Sequence, residues 1–335
     1  MSDIVIKTEA LTRSYDSYLK EEGLWNSFRG LLKRRHVTKN ALRPVDITVR
    51  RGEVIGLVGA NGAGKTTLIK ILSGLIHPSE GTATVLGYQP WQRDYRMLRR
   101  ISVLLGQKAQ LWWDIPPIDS FSLLGKIYEI PKNVLKQRID ELTEVLQVGD
   151  QLRTQLRRLS LGERMKMEFL GALLHRPEVI FLDEPTIGLD IVAQASIRKF
   201  LNGYVQRENP TIILTSHYMD DIAGMATRLM LMSHGAIVYD GTVDEFKQKS
   251  SNHQKLSFRI VNPPSQDLVL ANKWSIKKGD ETFSGEFEQA EIGPFLSSAL
   301  QQVQVTDVSI EQSDFEDVIH KFLEKESRFR GARHP

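Results

Sequence analysis

The feature that most constrains the fold is an eight-residue stretch, Gly59–Thr66 (GANGAGKT), which directly follows the continuous apolar run Val54–Val58. It matches the pattern G-x-x-x-x-G-K-[ST] at every fixed position, and a helical pattern begins at Lys65. Glycines let backbone N–H groups curl around phosphate oxygens, and the positive N-terminal end of a helix favours the same anions. A Gly-rich turn that binds nothing is disfavoured by the strand before the motif and the helix after it. The stretch predicts a phosphate-binding loop at the end of a buried strand.

Within this loop, each residue type suits one part of a nucleotide. The Lys65 ammonium is placed to reach the β- and γ-phosphates, and the Thr66 hydroxyl is placed to ligate Mg²⁺. The predicted nucleotide contacts along the loop and the first helical turn are Gly59, Asn61, Gly62, Ala63, Gly64, Lys65, Thr66 and Thr67.

An acid pair after a second buried strand is typical of the other half of such a site. The apolar run Val179–Leu182 is followed at once by Asp183 and Glu184. Asp183 is placed to hold Mg²⁺, usually through water, and Glu184 to orient the water that attacks the γ-phosphate. The competing interpretation, two carboxylates that cap a strand-to-helix turn, is disfavoured by the presence of the phosphate loop.

The order of apolar runs predicts the class of fold. A third buried run, Thr211–Leu214, follows the second, and helical patterns occur at Ile191–Gln206 and Asp220–Ala226. Strands that alternate with helices are typical of an α/β fold with a parallel sheet. Met230–Tyr239 predicts a terminal hairpin with its turn at His234–Gly235.

Composition narrows the function classes. The 335 residues include no cysteine, which excludes a disulfide framework, a thiolate nucleophile and cysteine-ligated metal sites. The 44 Lys and Arg against 41 Asp and Glu give a net charge of +3, which does not by itself indicate nucleic acid. No apolar run is long enough for a membrane helix, and the N-terminus lacks a signal-peptide core. We expect a soluble, cytosolic chain.

Further motifs occur in a set order around the acid pair. Leu159–Glu163 (LSLGE), upstream of Asp183, is similar to an LSGGQ signature, and Gln107 lies at the position of a Q-loop. Ile187–Asp190 is similar to a D-loop, and His217 follows the third buried run as a switch histidine does. In this motif set the chain resembles the nucleotide-binding subunit of ABC transporters.

The resemblance implies a fold and a reaction. The fold is a P-loop NTPase with a RecA-like parallel sheet core, an antiparallel β subdomain and a helical subdomain. The reaction is hydrolysis of ATP to ADP and phosphate with Mg²⁺. The implied catalytic residues are Glu184, His217 and Gln107, and Gln107 would touch Mg²⁺ or the attacking water. Tyr15 matches the aromatic residue that stacks on adenine, and Tyr18 is a rival candidate.

The signature implies a second anion cradle, offered to a neighbouring subunit in a head-to-tail dimer with two ATP molecules at the interface. Ser160 and Gly162 would approach the γ-phosphate of the partner's ATP, because both stand at the start of a helix. Asp190, in the D-loop, is included among the predicted nucleotide-site residues.

Two residues depart from the signature of the family. Leu161 replaces its first glycine, and Glu163, also counted in the predicted site, replaces its glutamine. Because a carboxylate next to phosphates repels them, we expect Glu163 to face away from the nucleotide and to pair with Arg164 or Lys166.

The chain is predicted to contain two domains. Residues 1–247 form the ATPase domain, with a basic amphipathic insertion at 16–40 and the helical subdomain at 108–175. The helix predicted at 24–35 in the insertion either lies against a membrane or a permease, or packs on its own domain.

Residues 248–335 form a small C-terminal α/β accessory domain, which serves either regulation or dimer support. We predict a linker near Gln248–Gln254 and a disordered tail from Arg328 to Pro335. The stretch from Val305 to Ile319 resembles the C-terminus of ATPases that are paired with ABC-2-type export permeases.

That branch implies the motor subunit of a membrane exporter, which lies peripherally on the cytoplasmic face of the inner (plasma) membrane. Its expected partners are an ABC-2-type permease and a second ATPase subunit, without nucleic acid. Trp112–Trp113, just after the Q-loop position, either dock the permease or pack inside the helical subdomain.

The rival function is a soluble ABC-type ATPase in translation or DNA repair, but such proteins carry two cassettes or a long coiled-coil insertion. A small-molecule kinase would have no use for the signature.

Overall fold

The computed structural model describes residues 3–18, 36–106, 109–216, 218–250, 253–264, 267–269, 275–277 and 279–312, with 318, 319, 322–324 and 326. Gln107, His217, the helix predicted at 24–35 and the predicted tail at 328–335 lie outside the described residues. The chain divides into two compact units between Gly241 and Thr242. Among the described residues, no helix combines the length and the apolar character needed to cross a membrane.

The first unit contains nine strands and seven α-helices among its described residues. The strands are β1 Ile4–Tyr18, β2 His36–Arg50, β3 Val54–Gly59, β4 Glu80–Val85, β5 Ile101–Leu105, β6 Val179–Asp183, β7 Thr211–Thr215, β8 Arg228–Ser233 and β9 Ala236–Thr242. The helices are α1 Lys65–Leu72, α2 Tyr95–Leu98, α3 Pro117–Ile127, α4 Lys132–Leu146, α5 Leu161–Leu173, α6 Ile191–Glu208 and α7 Met219–Met225.

The central sheet has the strand order β5-β6-β7-β3-β8-β9, and β5, β6, β7, β3 and β8 run parallel. Every residue of β6 and β7 is buried, as expected for strands that are covered on both faces. Helix α1 buries Leu68, Ile69 and Leu72 in the same core as Ile55 and Leu57 of β3. The predicted α/β fold with a parallel sheet is confirmed.

The antiparallel sheet has the order β2-β1-β4, and its inner face contributes Ile6, Leu11 and Ile47 to the same core. Its strands β1 and β2 extend into the segment 16–40, which was predicted as an insertion. Strand β1 continues to Tyr18, which pairs with His36 at the start of β2. Residues 16–18 and 36–40 are therefore strand, because the two segments pair and complete each other's backbone hydrogen bonds there.

Helices α3, α4 and α5 occupy the stretch that was predicted to be helical. Phe121 of α3 and Phe169 of α5 are fully buried, and Phe169 meets Phe200 of α6 edge to face with ring centroids 6.2 Å apart. Helix α5 begins immediately after Ser160. The signature is therefore placed at the exposed start of a helix whose remainder is anchored in the core.

The second unit contains a three-stranded antiparallel sheet covered by one helix. Its elements are α8 Val243–Ser250, β10 His253–Ile260, β11 Leu268–Val269, β12 Ser275–Ile276, β13 Thr282–Glu288, α9 Gln289–Gln302 and β14 Val305–Gln312, and the sheet order is β13-β10-β14. Phe283 and Phe287 of β13 pack with Phe295 of α9 in its core. The linker predicted near Gln248–Gln254 is wrong, because α8 runs to Ser250 and β10 begins at His253.

Candidate active site

The predicted site residues meet at the carboxyl edge of the central sheet. Strand β7 lies between β3, which leads into the phosphate loop, and β6, which ends in the acid pair. The Thr215 hydroxyl at the end of β7 donates to Asp183 Oδ1 at 2.7 Å and accepts the backbone N–H of Glu184 at 3.0 Å. One hydroxyl thus joins the Asp183 carboxylate to the backbone of Glu184. Thr215 was not among the predicted site residues; in the structure it lies opposite Asp183 in the pairing of β6 with β7.

The phosphate loop is shaped by close backbone approaches at two glycines. A Cβ at Gly59 would stand 2.3 Å from the Met232 carbonyl oxygen, and one at Gly64 would stand 2.6 Å from the Ala41 carbonyl oxygen. Gly64 also has φ of 109°, in the left-handed region that side chains disfavour. The loop therefore folds back tightly and delivers the chain into α1 at Lys65.

The start of α1 suits an anion. Gly64 is its N-cap, no side chain caps the first turn, and no acidic residue lies in that turn. The first N–H groups of a helix have no intrahelical partner and carry partial positive charge. Along the predicted contacts, Asn61 and Gly62 are exposed, Gly59, Thr66 and Thr67 are half-buried, and Ala63, Gly64 and Lys65 are buried.

Lys65 places a cation inside this loop. Its side chain is buried, and the ammonium donates to the carbonyl oxygens of Gly59 at 2.7 Å and Ala60 at 3.3 Å. Burial lowers the pKa of Lys65, while the charges of Glu184 and Asp183 act to raise it. A bound phosphate would add negative charge next to this dehydrated ammonium and so stabilise the protonated form.

The oxygen donors of the site fit Mg²⁺. Asp183 is buried at the end of β6, and the half-buried Thr66 carries its hydroxyl in the first turn of α1. The described residues contain no group of three or more His, Cys, Asp or Glu side chains that could hold a metal ion. Mg²⁺ suits such a sparse set because it commonly combines one or two protein oxygens with phosphate oxygens and water.

Glu184 stands in an unusual backbone conformation. Its φ is 53°, in the left-handed region, and its N–H lies 3.1 Å from the Thr215 carbonyl oxygen and 3.0 Å from the Thr215 hydroxyl. Such strain persists only where the surroundings hold it in place, and it concentrates at functional sites. The conformation fixes the direction in which the half-buried Glu184 side chain leaves the sheet edge.

The partners of Glu163 in the signature differ from those that the sequence predicted. Ser160 is the N-cap of α5, and its hydroxyl and backbone N–H both contact Glu163 Oε2, at 2.8 and 2.9 Å. The other oxygen accepts from Gln151 Nε2 at 3.0 Å. The predicted ion pair with Arg164 or Lys166 is wrong: the Arg164 guanidinium lies over the Trp113 ring, and the Lys166 ammonium donates to the Leu146 carbonyl oxygen.

Signature and D-loop lie against each other within one chain. A Cβ at Gly162 would come within 3.1 Å of the Ala193 Cβ at the start of α6. Asp190 caps that helix, because its Oδ1 accepts the Ala193 N–H at 2.8 Å. Gly162 and Asp190 thus have a packing and a capping role in the single chain, and their contact with nucleotide stays a prediction.

Tyr15 lies near the end of β1 and is 39% exposed. The Arg13 guanidinium sits 4.5 Å from the ring centroid, so one face of the ring is covered by a cation. Stacking of adenine on Tyr15 would use the opposite face and stays a prediction. Gln107 and His217 lie outside the described residues, so their predicted roles stay predictions as well.

The strand order, the phosphate loop and the acid pair define a P-loop ATPase. A family model described as "ABC transporter" matches residues 42–187. The ABC transporter ATP-binding protein NatA of Bacillus subtilis is 32% identical over 222 residues, which cover 66% of this chain and 89% of that protein. The daunorubicin resistance ATP-binding protein DrrA3 of Streptomyces coeruleorubidus is 35% identical over 222 residues, with 65% and 68% covered.

The chain belongs to the ABC transporter family, as one of its ATP-binding proteins. A solved ATP-binding cassette, described as a dimer in a post-hydrolysis state with ADP and Pi, has a TM-score of 0.59 and 19% identity, and the match covers 71% of this chain and 98% of that one. The predicted family, P-loop fold and ATPase activity are confirmed, and this chain is the ATP-hydrolysing motor subunit of an ABC transporter.

Proposed function

We propose that two copies of this chain bind two ATP molecules with Mg²⁺ between them and drive a separate ABC-2-type export permease on the cytoplasmic face of the membrane. The observation that carries the catalytic part is the Thr215 bridge, because it holds Asp183 and Glu184 together next to the strand of the phosphate loop. The pairing of two copies and the docking of the permease rest on exposed surfaces, and the exporter assignment rests on the names of relatives.

The residues divide the work of hydrolysis. The loop N–H groups and Lys65 hold the β- and γ-phosphates, and Thr66 and Asp183 would hold Mg²⁺. When bound, Mg²⁺ neutralises charge that develops on the phosphate oxygens. Glu184 accepts a hydrogen bond from the attacking water and orients it, and its fixed backbone limits the positions that the carboxylate can take.

Pairing of two copies is supported by a surface beside the D-loop. Ile191 and Val192, directly after Asp190, are 80% and 79% exposed at the start of α6. Ser160, at the start of the neighbouring α5, is exposed too. Exposed apolar side chains of this size next to a helix start are typical of an interface. A solved relative of this fold forms a dimer.

The permease is proposed to dock on the tryptophan pair. Trp112 and Trp113 are 44% and 48% exposed, and the Arg164 guanidinium lies 4.8 Å from the Trp113 ring centroid. The buried Glu168 of the same helix, α5, accepts the backbone N–H of Gln110 at 2.9 Å. A partner that binds the pair would therefore push on the helix that begins at Ser160.

The exporter assignment rests on the relatives. One is named for daunorubicin resistance, and others are named for doxorubicin resistance and for bacitracin transport. These names suit export of compounds across a membrane. Since the described residues contain no membrane-spanning helix, this chain would reach the membrane through the permease.

The test of this proposal is a Glu184→Gln variant of the full chain, studied with its permease. We expect hydrolysis to fall at least about a hundredfold, because the amide cannot accept the proton of water. ATP binding should stay within about threefold of the wild type, because Lys65 and Thr66 are unchanged. The variant should also accumulate as an ATP-bound dimer on size-exclusion chromatography.

The matched control is Glu178→Gln, at the opposite end of β6, where Glu178 pairs with Arg51 and Arg100. It should hydrolyse ATP at the wild-type rate. A Glu184→Gln variant with near-normal hydrolysis would remove the assigned role of Glu184. A variant that stays monomeric with ATP bound would contradict the proposed pairing.

A further inference from the structure

A buried carboxylate outside the nucleotide contacts joins two loops of the site. Asp221 of α7 is fully buried, and its Oδ2 accepts the Thr186 hydroxyl at 2.5 Å and the Ser216 hydroxyl at 2.9 Å. Arg198 of α6 places its Nε 3.4 Å from Oδ1. Three segments that are distant in sequence therefore meet on one carboxylate.

The two hydroxyls belong to the loops that bear the catalytic residues. Thr186 is fully buried and follows Glu184 by two positions in the loop after β6. Ser216 directly follows Thr215 of β7 and directly precedes His217 in the sequence. The Ser216 hydroxyl also accepts the Tyr218 N–H at 2.9 Å. One hydroxyl thus connects the residue before position 217 to Tyr218 and Asp221, which follow it.

We propose that Asp221 is a positioning residue that holds the Glu184 loop and the switch loop in one fixed arrangement. This inference rests on the proposed roles of Glu184 and His217. The Thr215 hydroxyl ties the two strand ends directly, and Asp221 ties the loops one step further from the sheet. Together they make the two loops one unit, so that Glu184 and the switch segment keep their relative position through the reaction.

The chemistry of the cluster explains why a carboxylate is needed. A carboxylate only accepts hydrogen bonds, and here it receives two O–H donors on one oxygen and faces a guanidinium with the other. An amide of the same size would turn an NH₂ group toward a hydroxyl or toward Arg198. A buried charge is tolerated only when it is paired and hydrogen-bonded, as Asp221 is.

The first test is Asp221→Asn in the full chain, with steady-state ATPase kinetics and ATP titration. Because the phosphate loop is untouched, ATP affinity should stay within about threefold of wild type. The turnover number should fall about tenfold or more, because a small displacement of a catalytic group lowers the reaction rate strongly. A turnover number equal to that of the wild type would overturn the inference.

A second set of variants separates positioning from mere support of the fold. Thr186→Val removes the hydroxyl and keeps the shape, whereas Thr186→Ser keeps the hydroxyl. We expect Thr186→Val to lower the turnover number about fivefold or more and Thr186→Ser to restore it to within about twofold. Equal activity of the two variants would contradict the role of the hydroxyl bond.

The third measurement is a double-mutant cycle of Thr186→Val with Ser216→Ala. If both hydroxyls act through Asp221, the double variant should be little slower than the slower single variant, since either change already disconnects the loops. Effects on turnover that multiply, and that follow the loss of melting temperature, would show only structural support. This cycle decides the question even if Asp221→Asn does not fold.

Failure here is distinguishable from failure of the proposed function. Wild-type turnover in the Asp221 and Thr186 variants, together with an inactive Glu184→Gln, would remove the positioning role alone. An active Glu184→Gln would remove the catalytic assignment on which this inference rests.

Discussion

At the scale of the residue, the Ser160 hydroxyl is already hydrogen-bonded within the single chain, without a second subunit or a nucleotide. The hydroxyl accepts the Glu163 N–H at 3.3 Å, and the Ser160 backbone N–H donates to the Glu163 carboxylate at 2.9 Å, which is the reciprocal arrangement of a capping box. The hydroxyl also donates to the same carboxylate at 2.8 Å. The side-chain and backbone hydrogen bonds from Ser160 lower the pKa of Glu163, so the carboxylate is charged at neutral pH. A γ-phosphate that approaches Ser160 must compete with this anion.

Glu163→Gln should therefore keep the helix and ease the approach of phosphate. Glutamine also completes a capping box, so the free energy of unfolding should change by less than about 0.5 kcal/mol. The ATPase rate should equal or exceed that of the wild type, because a negative charge near the phosphates is removed. Glu163→Ala is the comparison: it loses the box and should lower stability by about 0.5–1 kcal/mol.

Thermal unfolding and ATPase assays on both variants check this prediction. A Gln variant that keeps wild-type stability but hydrolyses ATP more slowly than the wild type would show that the charge of Glu163 assists the reaction, contrary to the expected repulsion.

The residues that sequence reasoning found and missed differ in a physical way. Lys65, Asp183 and Glu184 stand at set spacings from apolar runs, so the local sequence identifies them. Thr215 and Asp221 act through contacts between strands and helices that are distant in sequence. A threonine or an aspartate has no local pattern that distinguishes such a role. The ion pair predicted for Glu163 was wrong because the capping hydrogen bonds were available closer by.

At the scale of the element, His175 connects three parts of the first unit. It lies between α5 and β6, its Nε2 is 2.9 Å from the Ile101 carbonyl oxygen, and its ring stacks on Tyr128 with centroids 3.8 Å apart. Because a carbonyl oxygen only accepts, Nε2 carries the proton of the neutral ring. Burial lowers the pKa of His175 to about 4.

This pKa predicts a pH dependence of stability with a definite sign. In the unfolded chain a histidine has a pKa near 6.5, so between pH 6.5 and about 4 the unfolded state binds a proton that the folded state does not. Stability that is present above pH 6.5 is therefore lost as the pH falls toward 4. The loss from this group should approach about 2–3 kcal/mol at pH 4.

Urea unfolding of the wild type and of His175→Gln between pH 7 and 4 measures this effect. The variant should be less stable at pH 7 but should show a flatter dependence on pH. His77→Gln, at an exposed histidine, is the matched control and should follow the wild-type curve. Parallel curves for the wild type and His175→Gln would contradict the assignment.

Buried strands were predicted more accurately from the sequence than exposed ones. The strands β3, β6 and β7 were predicted within one residue at each end, because they are buried on both faces and read as continuous apolar runs. The extension of β1 and β2 was missed, because the residues around Asp16 and Thr38 are exposed and carry no alternating pattern. The end of α8 was taken for a linker, although its two lysines and its glutamine favour a helix.

At the scale of the whole molecule, the family match lies entirely in the first unit, and the second unit has a separate core of aromatic residues. The α/β character of the second unit was predicted from alternating runs, but its role stays a prediction, either regulation or dimer support. Sequence motifs identify the ATPase because phosphate binding and hydrolysis require particular residue types at fixed spacings. A surface that binds a protein partner can be built from many residue types, so it is recognised only by the exposure of its apolar side chains in the folded chain.

The exposed tryptophan pair predicts where the motor meets its membrane partner. Trp112 and Trp113 present nearly half of their surfaces, while Leu111 beside them is buried against α5. Aromatic side chains at the centre of an interface commonly contribute about 2 kcal/mol or more each, so Trp112→Ala with Trp113→Ala should weaken binding by about a thousandfold. The expected result is that the tagged full-length double variant leaves the membrane fraction of its native host, while the wild type stays there until detergent releases it with the permease.

The control for this experiment is Val134→Ala with Val145→Ala, two exposed apolar residues of α4 in the same helical region. That variant should stay in the membrane fraction. Unchanged melting temperature of the tryptophan variant would show that the lost association is not a folding defect, since the pair projects from the core. Retention of the tryptophan variant with the membranes, at wild-type level, would show that this surface is not the docking site and that the pair serves packing within the helical region instead.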